Sequence, residues 1–463
     1  MLFSSPIFLY VFLPLVMVAY YLTRTASARN ILLLFASLIF YVWGELKYLP
    51  LMFVVIAITH LGATYQIRAK ERSPLVLWLC IVGLLLLLGF FKYYSFLVEN
   101  LKMAGVDVLP VLKISLPLGI SFYTFHAISQ LVDVYRNRTA TRYQSPSIVK
   151  TALYIMLFPQ LIAGPILRFG SVARQMTLRL DTPHRRSVGI KLFVLGLASK
   201  VIIADKVAPI ADHAFTLGAA IDPSEAWLGA TAYAMQIFFD FAGYSNMAIG
   251  LGLFFGFSFP ANFRDPYVSR SMGEFWRRWH ISLSSWFRDY LYIPLGGNRR
   301  GPGRTIVNLL IVFLATGIWH GAAWSFVIWG LWHGGFLILE RLLGSPRNVV
   351  LARVYTLLVV LVGWVFFRSN TLGEAVDFIG HMFGRAGDGQ ISLPFFSYIQ
   401  NEIITIFALG LFFALTPRQT RKRIFGWLNR QPLVSMVWFT GLLIVCLIYV
   451  ASSTYSPFLY FRF

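Results

Sequence analysis

The sequence predicts an all-α integral membrane protein, a polytopic helical bundle of about 11–12 spans. Of the 463 residues, 57% are hydrophobic and only 13% are charged, whereas about a quarter of the residues in a soluble domain are charged. Apolar runs of about 17–20 residues, long enough to cross about 30 Å of hydrocarbon as a helix, recur along the whole chain. These runs lack the polar–apolar alternation of barrel strands, which indicates helices.

Candidate spans follow one another from the first residues to the last. The run 6–22 has no basic stretch before it and no small-residue cleavage site after it, so we expect it to be a retained span. The run 305–340 is about twice the length of one crossing and is basic on both flanks, which predicts a segment that goes out and returns. The candidate spans are 6–22, 30–44, 48–65, 74–91, 114–132, 187–204, 226–257, 305–340, 353–367, 397–415 and 434–451.

Lysine and arginine residues are concentrated in the short loops between the spans. The formal net charge is +21, and the positive-inside rule places these loops in the cytoplasm and both termini outside. This distribution indicates membrane topology and contact with anionic lipid head groups rather than binding of nucleic acid. The basic loops lie at Arg24 and Arg29, 68–72, 136–142, 264–304, 341–353 and 418–430.

The apolar segment 148–167 is predicted to form a re-entrant or broken helix. The loops on both sides of it are basic, so a single crossing would violate the charge rule. Pro159, Gly164 and Pro165 interrupt it, and such residues are tolerated at membrane depth where the backbone is buried in protein or lines a wet cavity. Because no repeat and no long soluble stretch is visible, residues 1–463 are predicted to form one membrane domain.

His320 is a candidate for chemistry, because polar groups inside a membrane bundle are costly and are often functional. It lies in the segment GIWHGAAW, about 24 Å of helix rise beyond the basic loop that ends at Arg304. Burial disfavours the imidazolium, so a neutral ring could take the proton of a hydroxyl that attacks an acyl thioester. The alternative is a packing histidine, and the residues alone do not rank His320 above His333, which lies in a second Trp-His-Gly tripeptide.

A second candidate region surrounds His280, in the segment EFWRRWHISLSSWFRDYLYIPLGGNRRGPGR. Its mixture of arginines and aromatic residues suits an amphipathic helix in the head-group zone. One interpretation is a cytoplasmic donor port, where guanidinium groups bind a phosphorylated carrier such as coenzyme A or a phosphopantetheine arm; the other is lipid anchoring. The candidates for substrate or donor binding are Trp319, Arg277, Arg278, Trp279, Arg288, Asp240, Asn246 and His333.

Asp240 and Asn246 are polar residues within the apolar run QIFFDFAGYSNMAIGLG. A carboxylate there could pair with a cation, orient a histidine or line a wet cavity. A hydrogen bond that joins neighbouring helices is an equally good interpretation. The sequence contains no CxxC, HExxH or GxSxG motif, so it gives no support to a metal site or a serine nucleophile.

The motifs along the chain resemble those of the membrane-bound O-acyltransferases, in particular the alginate O-acetyltransferase branch, whose relatives include the D-alanyl transferase of teichoic acids. The resemblance covers nearly the whole length and is highly specific. The matching segments are LPLGISFYTFHAISQLVDVYR at 116–136, FPQLIAGPILRF at 158–169, FFDFAGYSNMAIGLG at 238–252, EFWRRWHISLSSWFRDYLYIPLGGNRRG at 274–301, GIWHGA at 317–322 and the closing SPFLYFRF.

The resemblance implies that His320 is the membrane-embedded catalytic histidine of the family and His280 its second polar residue, on the cytoplasmic side. It implies a ring of slanted helices around a central funnel. It further implies that no cofactor is bound permanently and that acetyl passes from a cytoplasmic donor, acetyl-coenzyme A or another acetyl thioester, across the bacterial inner membrane to an exopolysaccharide. The implied partners are a periplasmic transferase of the acetyl-esterase fold, the polysaccharide export machinery and membrane lipids.

Several positions depart from the pattern of close relatives, and these bear on the substrate more than on the chemistry. Ala242 and Asn246 stand where Ser and Asp are frequent, Gln130 where Tyr is usual, and Arg462 where Gln is common. A cellulose-type polymer or another cell-envelope glycan is therefore an alternative to alginate. A glycan or lipid transporter and a catalytically silent scaffold are alternatives from other classes.

Overall fold

The computed structural model describes residues 1–112, 114–137, 147–385, 401–452 and 458–459. Within these ranges the elements are helices, and no strand is present. Eight helices in them are long and apolar enough to cross a membrane, or up to nine if a bent pair counts as one span. The predicted all-α polytopic class is confirmed. Part of the basic loop 136–142 and the position of Arg462 lie outside the described residues.

Each predicted span overlaps a helix within the described residues, although residues 397–400 lie outside them and the eight or nine helices that are long and apolar enough to cross are fewer than the 11–12 spans predicted. The run Ala26–Arg68 divides into two helices at Glu45, whose backbone leaves the helical region with φ −141° and ψ 39°. The first helices are α1 Phe8–Leu22, α2 Ala26–Glu45, α3 Leu49–Arg68, α4 Pro74–Met103, α5 Ile120–Asn137, α6 Ile148–Met156, α7 Pro183–Ala198 and α8 Asp205–Thr216. The later ones are α9 Pro223–Phe254, α10 Met272–Arg278, α11 Ile281–Phe287, α12 Gly301–His320, α13 Trp324–Leu343, α14 Val349–Arg368, α15 Leu372–Met382, α16 Asn401–Leu415, α17 Arg418–Phe425 and α18 Pro432–Ser452.

The segment 148–167 forms a broken helix, as predicted. Helix α6 ends where Leu157 adopts ψ 111°, and Gly164 has a φ of +118° that favours glycine. The backbone beyond this break is buried and still hydrogen-bonded: the hydroxyl of Tyr154 donates to the carbonyl oxygen of Leu167 (2.7 Å), and the amide of Leu167 donates to Nε2 of His126 (3.2 Å). Side chains thus form the hydrogen bonds that these backbone groups would make within a continuous helix.

The run 305–340 goes out and returns, also as predicted. Helices α12 and α13 are joined by only three residues, beginning with Gly321 in an extended conformation. A Cβ atom added at Gly321 would lie 2.1 Å from the ring of Phe326. Position 321 therefore has room only for glycine.

Internal contacts divide the chain into two compact units. One consists of Met1–Phe193 with Ser245–Pro260, and the other of Val194–Tyr244 with Ala261–Phe463. His280, His320 and His333 lie in the second unit, which is built mainly from α8, most of α9, and α10 to α18. That residues 1–463 act as one membrane domain remains a prediction.

Candidate active site

His320 is the last residue of α12 and is 5% exposed. Its ring packs edge-to-face against three aromatic rings: Trp319 and Trp329, each with centroids 4.9 Å away, and Phe367 at 5.1 Å. Helices α13 and α14 supply two of these rings. His320 therefore lies in an aromatic environment from which water is largely excluded.

Close packing of the α12–α13 hairpin places Trp329 against His320. A Cβ atom added at Gly317 would lie 2.4 Å from the carbonyl oxygen of Phe326, and one added at Gly330 would lie 2.4 Å from the carbonyl oxygen of Phe313. Small residues at such positions let two membrane helices approach to backbone contact. The glycines therefore set the distance between the helix that carries His320 and the helix that carries its indole neighbour.

His280 precedes α11 and is 1% exposed. Its backbone has φ +41° and ψ 54°, a left-handed conformation that is uncommon for a non-glycine residue and is found at functional sites. Nδ1 lies 3.2 Å from Oδ1 of Asn262, and this oxygen also accepts from the amide (3.2 Å) and the hydroxyl (2.8 Å) of Ser282. An amide oxygen only accepts, so Nδ1 carries the hydrogen and Nε2 carries the lone pair.

The indole of Trp319 lies between the two histidines. Its centroid is 6.3 Å from that of His280 and 4.9 Å from that of His320. Phe241 closes the opposite side of His280, with centroids 4.6 Å apart and the rings nearly perpendicular. Three of the residues singled out in the sequence are thus brought together.

Two of the candidate arginines, which lie close to His280 in the sequence, line one cavity. Arg277 and Arg288 line a space of about 410 Å³, with Ser284 and Ser285 on the polar side. Apolar walls come from α12 and α13, through Val312, Phe313 and Leu337. An apolar pocket with a few charged groups is the usual form of a small-molecule site.

Arg278 and Trp279 have other roles, although they adjoin Arg277 in sequence. The guanidinium of Arg278 forms an ion pair with Glu274 at 2.6 Å and lines a different cavity. Trp279 is buried, 4.7 Å from the ring of Trp364. Neither belongs to the cavity of Arg277 and Arg288.

His333 is completely buried in an aromatic cage. The centroids of Trp276 and Trp329 are each 5.2 Å from its own, and both of its ring nitrogens are without a hydrogen-bond partner among the described residues. A Cβ atom added at Gly363 would lie 2.5 Å from its Nε2. This close fit leaves no space for a substrate beside Nε2 and favours a packing role.

Asp240 anchors a segment near the C-terminus. Its Oδ1 lies 3.0 Å from Nζ of Lys200, which also pairs with Asp205 at 2.6 Å. Its Oδ2 accepts from the amide of Leu459 at 2.7 Å. The ring of the neighbouring Phe458 packs against that of Tyr244, with centroids 4.6 Å apart. Asp240 therefore joins α9 to the tail and to the preceding span, which agrees with the interpretation as a link between helices.

Comparison with known proteins identifies the class of this chain. The model of the MBOAT, membrane-bound O-acyltransferase family matches residues 111–345, which include His280, His320 and the arginine-lined cavity. The probable alginate O-acetylase AlgI of Pseudomonas putida is 42% identical over 494 residues, with 100% of both chains covered. The chain belongs to the membrane-bound O-acyltransferase family. It is an O-acyltransferase and a multi-pass membrane protein.

Other relatives of this membrane-bound O-acyltransferase carry different names. The peptidoglycan O-acetyltransferase of Helicobacter pylori is 36% identical over 426 residues, with 84% of this chain and 80% of the relative covered. The teichoic acid D-alanyltransferase of Streptococcus thermophilus is 30% identical over 280 residues, with 56% of this chain and 66% of the relative covered. The names of these relatives all describe acyl transfer, but they give different acceptors.

Sequence reasoning missed two residues that contact the candidate site residues His280 and Asp240. Asn262 orients His280 from 18 residues away, and no motif in the sequence points to it. Lys200 was detectable in principle, because a lysine inside the apolar run 187–204 requires a buried counter-ion.

Asn246, a candidate for substrate or donor binding, lies in the other unit and is partly buried. Among the described residues, no group of three or more metal-ligating side chains could hold a metal ion.

We expect Asp240→Leu to lower the stability of this acyltransferase by about 3 kcal/mol, because removing one partner of a buried pair leaves Lys200 with Asp205 alone and frees the amide of Leu459. The matched control is Asp212→Asn, which breaks the more exposed pair with Arg368 and should cost about 1 kcal/mol or less. Thermal unfolding in detergent compares the two variants. Equal unfolding temperatures would contradict the anchoring role.

Proposed function

We propose that this enzyme moves an acetyl group from a thioester on the cytoplasmic side, across the bacterial inner membrane, to a hydroxyl of an alginate-type exopolysaccharide. The observation that carries the proposal is the row His280, Trp319 and His320, adjoining in sequence a cavity lined by Arg277 and Arg288. The similarity to a probable alginate O-acetylase and to a peptidoglycan O-acetyltransferase supports polysaccharide acetylation.

His320 acts as the general base in this proposal. A neutral ring nitrogen takes the proton as the hydroxyl oxygen bonds to the thioester carbonyl carbon. The carbon–sulfur bond then breaks, and the departing thiolate takes the same proton back from His320. An ester and a free thiol are formed, and the histidine returns to its starting form.

Arg277 and Arg288 bind the donor. Guanidinium groups form charge-assisted, bidentate hydrogen bonds with phosphate, as found in coenzyme A and in a phosphopantetheine arm. The apolar walls of the cavity, including Phe313, suit the neutral acyl arm. His280, which Asn262 orients, acts beside Trp319 and His320 as the second polar residue of the site.

The acceptor approaches from the outer side. In the proposed pathway the attacking hydroxyl belongs to the polymer itself or to a periplasmic transferase of the acetyl-esterase fold, which then completes the transfer to the sugar together with the polysaccharide export machinery. Cellulose or another envelope glycan is an alternative acceptor with the same chemistry, because every such polymer offers hydroxyl groups.

Ester content of secreted polymer tests the proposal. Cells without the gene, and the same cells complemented with it, are compared by infrared ester absorbance on purified exopolysaccharide and on peptidoglycan. Loss of ester from the exopolysaccharide alone, restored by complementation, is the expected result. Unchanged ester with reduced polymer export would contradict it and favour a transporter.

A further inference from the structure

A second cavity in the unit of Val194–Tyr244 and Ala261–Phe463 is strongly basic. It has a volume of about 450 Å³ and is separate from the cavity of Arg277 and Arg288. Its charged lining consists of four arginines and one glutamate, so three positive charges remain after cancellation. The lining residues that carry charge are Arg270, Arg278, Arg353, Arg423 and Glu274.

Part of this positive charge is unpaired within the protein. Glu274 neutralises Arg278, at 2.6 Å. Burial opposes ionisation of the Glu274 carboxyl group. Hydrogen bonds from the Arg270 amide and the Arg278 guanidinium nevertheless hold the pKa of Glu274 below its ordinary value. In contrast, Nε of Arg353 is buried without a hydrogen-bond partner among the described residues. The Arg353 side chain as a whole is half-buried, and an anionic ligand in the cavity would supply an acceptor for this buried N–H group.

The cavity lies where three basic loops meet. Arg270 and Arg278 belong to 264–304, Arg353 to the segment that begins α14, and Arg423 to α17. The charge rule places all three in the cytoplasm. The positive-inside rule requires only that these loops lie on the same side of the membrane. Their convergence on one cavity is an additional feature of the structure.

Helix α17, which lines this cavity, has the features of a helix that lies in the head-group region of a membrane. The helical segment Arg418–Leu428 bends by 116° from α16, so it turns away from the direction of that span. Its arginines and lysine are accompanied by exposed apolar side chains, with Ile424 46% and Trp427 54% exposed. A basic helix with such residues lies in the membrane interface, with the apolar groups among the acyl chains.

We propose that this cavity binds the phosphate-bearing head group of an anionic phospholipid. Arg353 and Arg423 hold the phosphate from α14 and α17, and the acyl chains follow the apolar residues of the α17 segment into the bilayer. Guanidinium groups are suited to bind phosphate with two parallel hydrogen bonds. The bound lipid would fasten the start of α14, whose other end carries Phe367 against His320.

Native mass spectrometry of the purified protein in detergent tests the proposal. The protein is offered equal amounts of phosphatidylglycerol and phosphatidylethanolamine. We expect the wild type to retain one phosphatidylglycerol in preference, and Arg353→Gln/Arg423→Gln to bind it at least about tenfold more weakly, since each arginine near an anionic surface contributes roughly a factor of five. Arg347→Gln removes an exposed arginine from the same side and should behave as the wild type.

Each other outcome is also informative. Equal retention by the double variant and the wild type, or equal retention of both lipids, would overturn the proposal. Displacement of phosphatidylglycerol by adenosine 3′,5′-bisphosphate would assign the cavity to a soluble nucleotide instead. If the double variant unfolds, Arg423→Gln alone, at an exposed position, should still weaken retention. The readout is binding alone, so it succeeds or fails independently of acetyl transfer.

Discussion

His320→Ala is expected to lower O-acetylation of the polymer about 100-fold to 10,000-fold, the range that a positioned general base contributes. Alanine cannot take the proton of the attacking hydroxyl, and the aromatic rings around position 320 offer no substitute base. The measurement is infrared ester absorbance of purified polymer, normalised to the amount of protein in the membrane.

The matched control for this experiment is His333→Gln. His333 lies in the same hairpin and is equally buried, but its ring nitrogens make no hydrogen bond among the described residues. Glutamine there should disturb the packing and leave a substantial fraction of the ester. If His320→Ala retains ester while His333→Gln loses it, at equal expression, the assignment of the base to His320 is wrong.

Gly330→Ala is expected to destabilise the protein by about 1–3 kcal/mol and to reduce its activity, because overpacking forces the backbone to shift. The added methyl group would meet the carbonyl oxygen of Phe313 at 2.4 Å, so α12 and α13 must move apart. Trp329, the residue before it, would then withdraw from His320. Thermal unfolding and polymer ester content are measured on the same variant.

Gly335→Ala makes the same chemical change in the same helix. A Cβ atom at Gly335 meets nothing within 4 Å, and alanine is favoured over glycine in a helix by about 1 kcal/mol. This variant should be as stable as the wild type or more stable. Equal destabilisation by both substitutions would contradict the close approach of the two helices.

The spans and the hairpin were predictable because both follow from local rules. A run of about 36 apolar residues between basic flanks has to cross twice. Pro159 and Gly164 cannot continue a helix without a cost, which predicted the break in 148–167. These features depend on length, charge and backbone chemistry within one segment.

The arrangement of the site was less predictable, because it depends on residues far apart in the chain. Arg277 and Arg278 look equivalent in sequence, but successive helical residues point about 100° apart, and the two line different cavities. The anchoring of Asp240 by Lys200 and Leu459 joins segments about 40 and 219 residues away. The resemblance to the family, rather than any pattern of spacing, ranked His320 above His333.

The most direct test of the central claim uses membrane vesicles and acetyl-coenzyme A with a labelled acetyl group. Everted vesicles expose the cytoplasmic face to the donor. Everted vesicles with wild-type protein should accumulate labelled acetyl ester, detected as alkali-labile label, in the vesicle interior. Right-side-out vesicles, and everted vesicles with His320→Ala, should not. Equal protected label with His320→Ala, or equal labelling in both orientations, would contradict base-assisted transfer across the membrane.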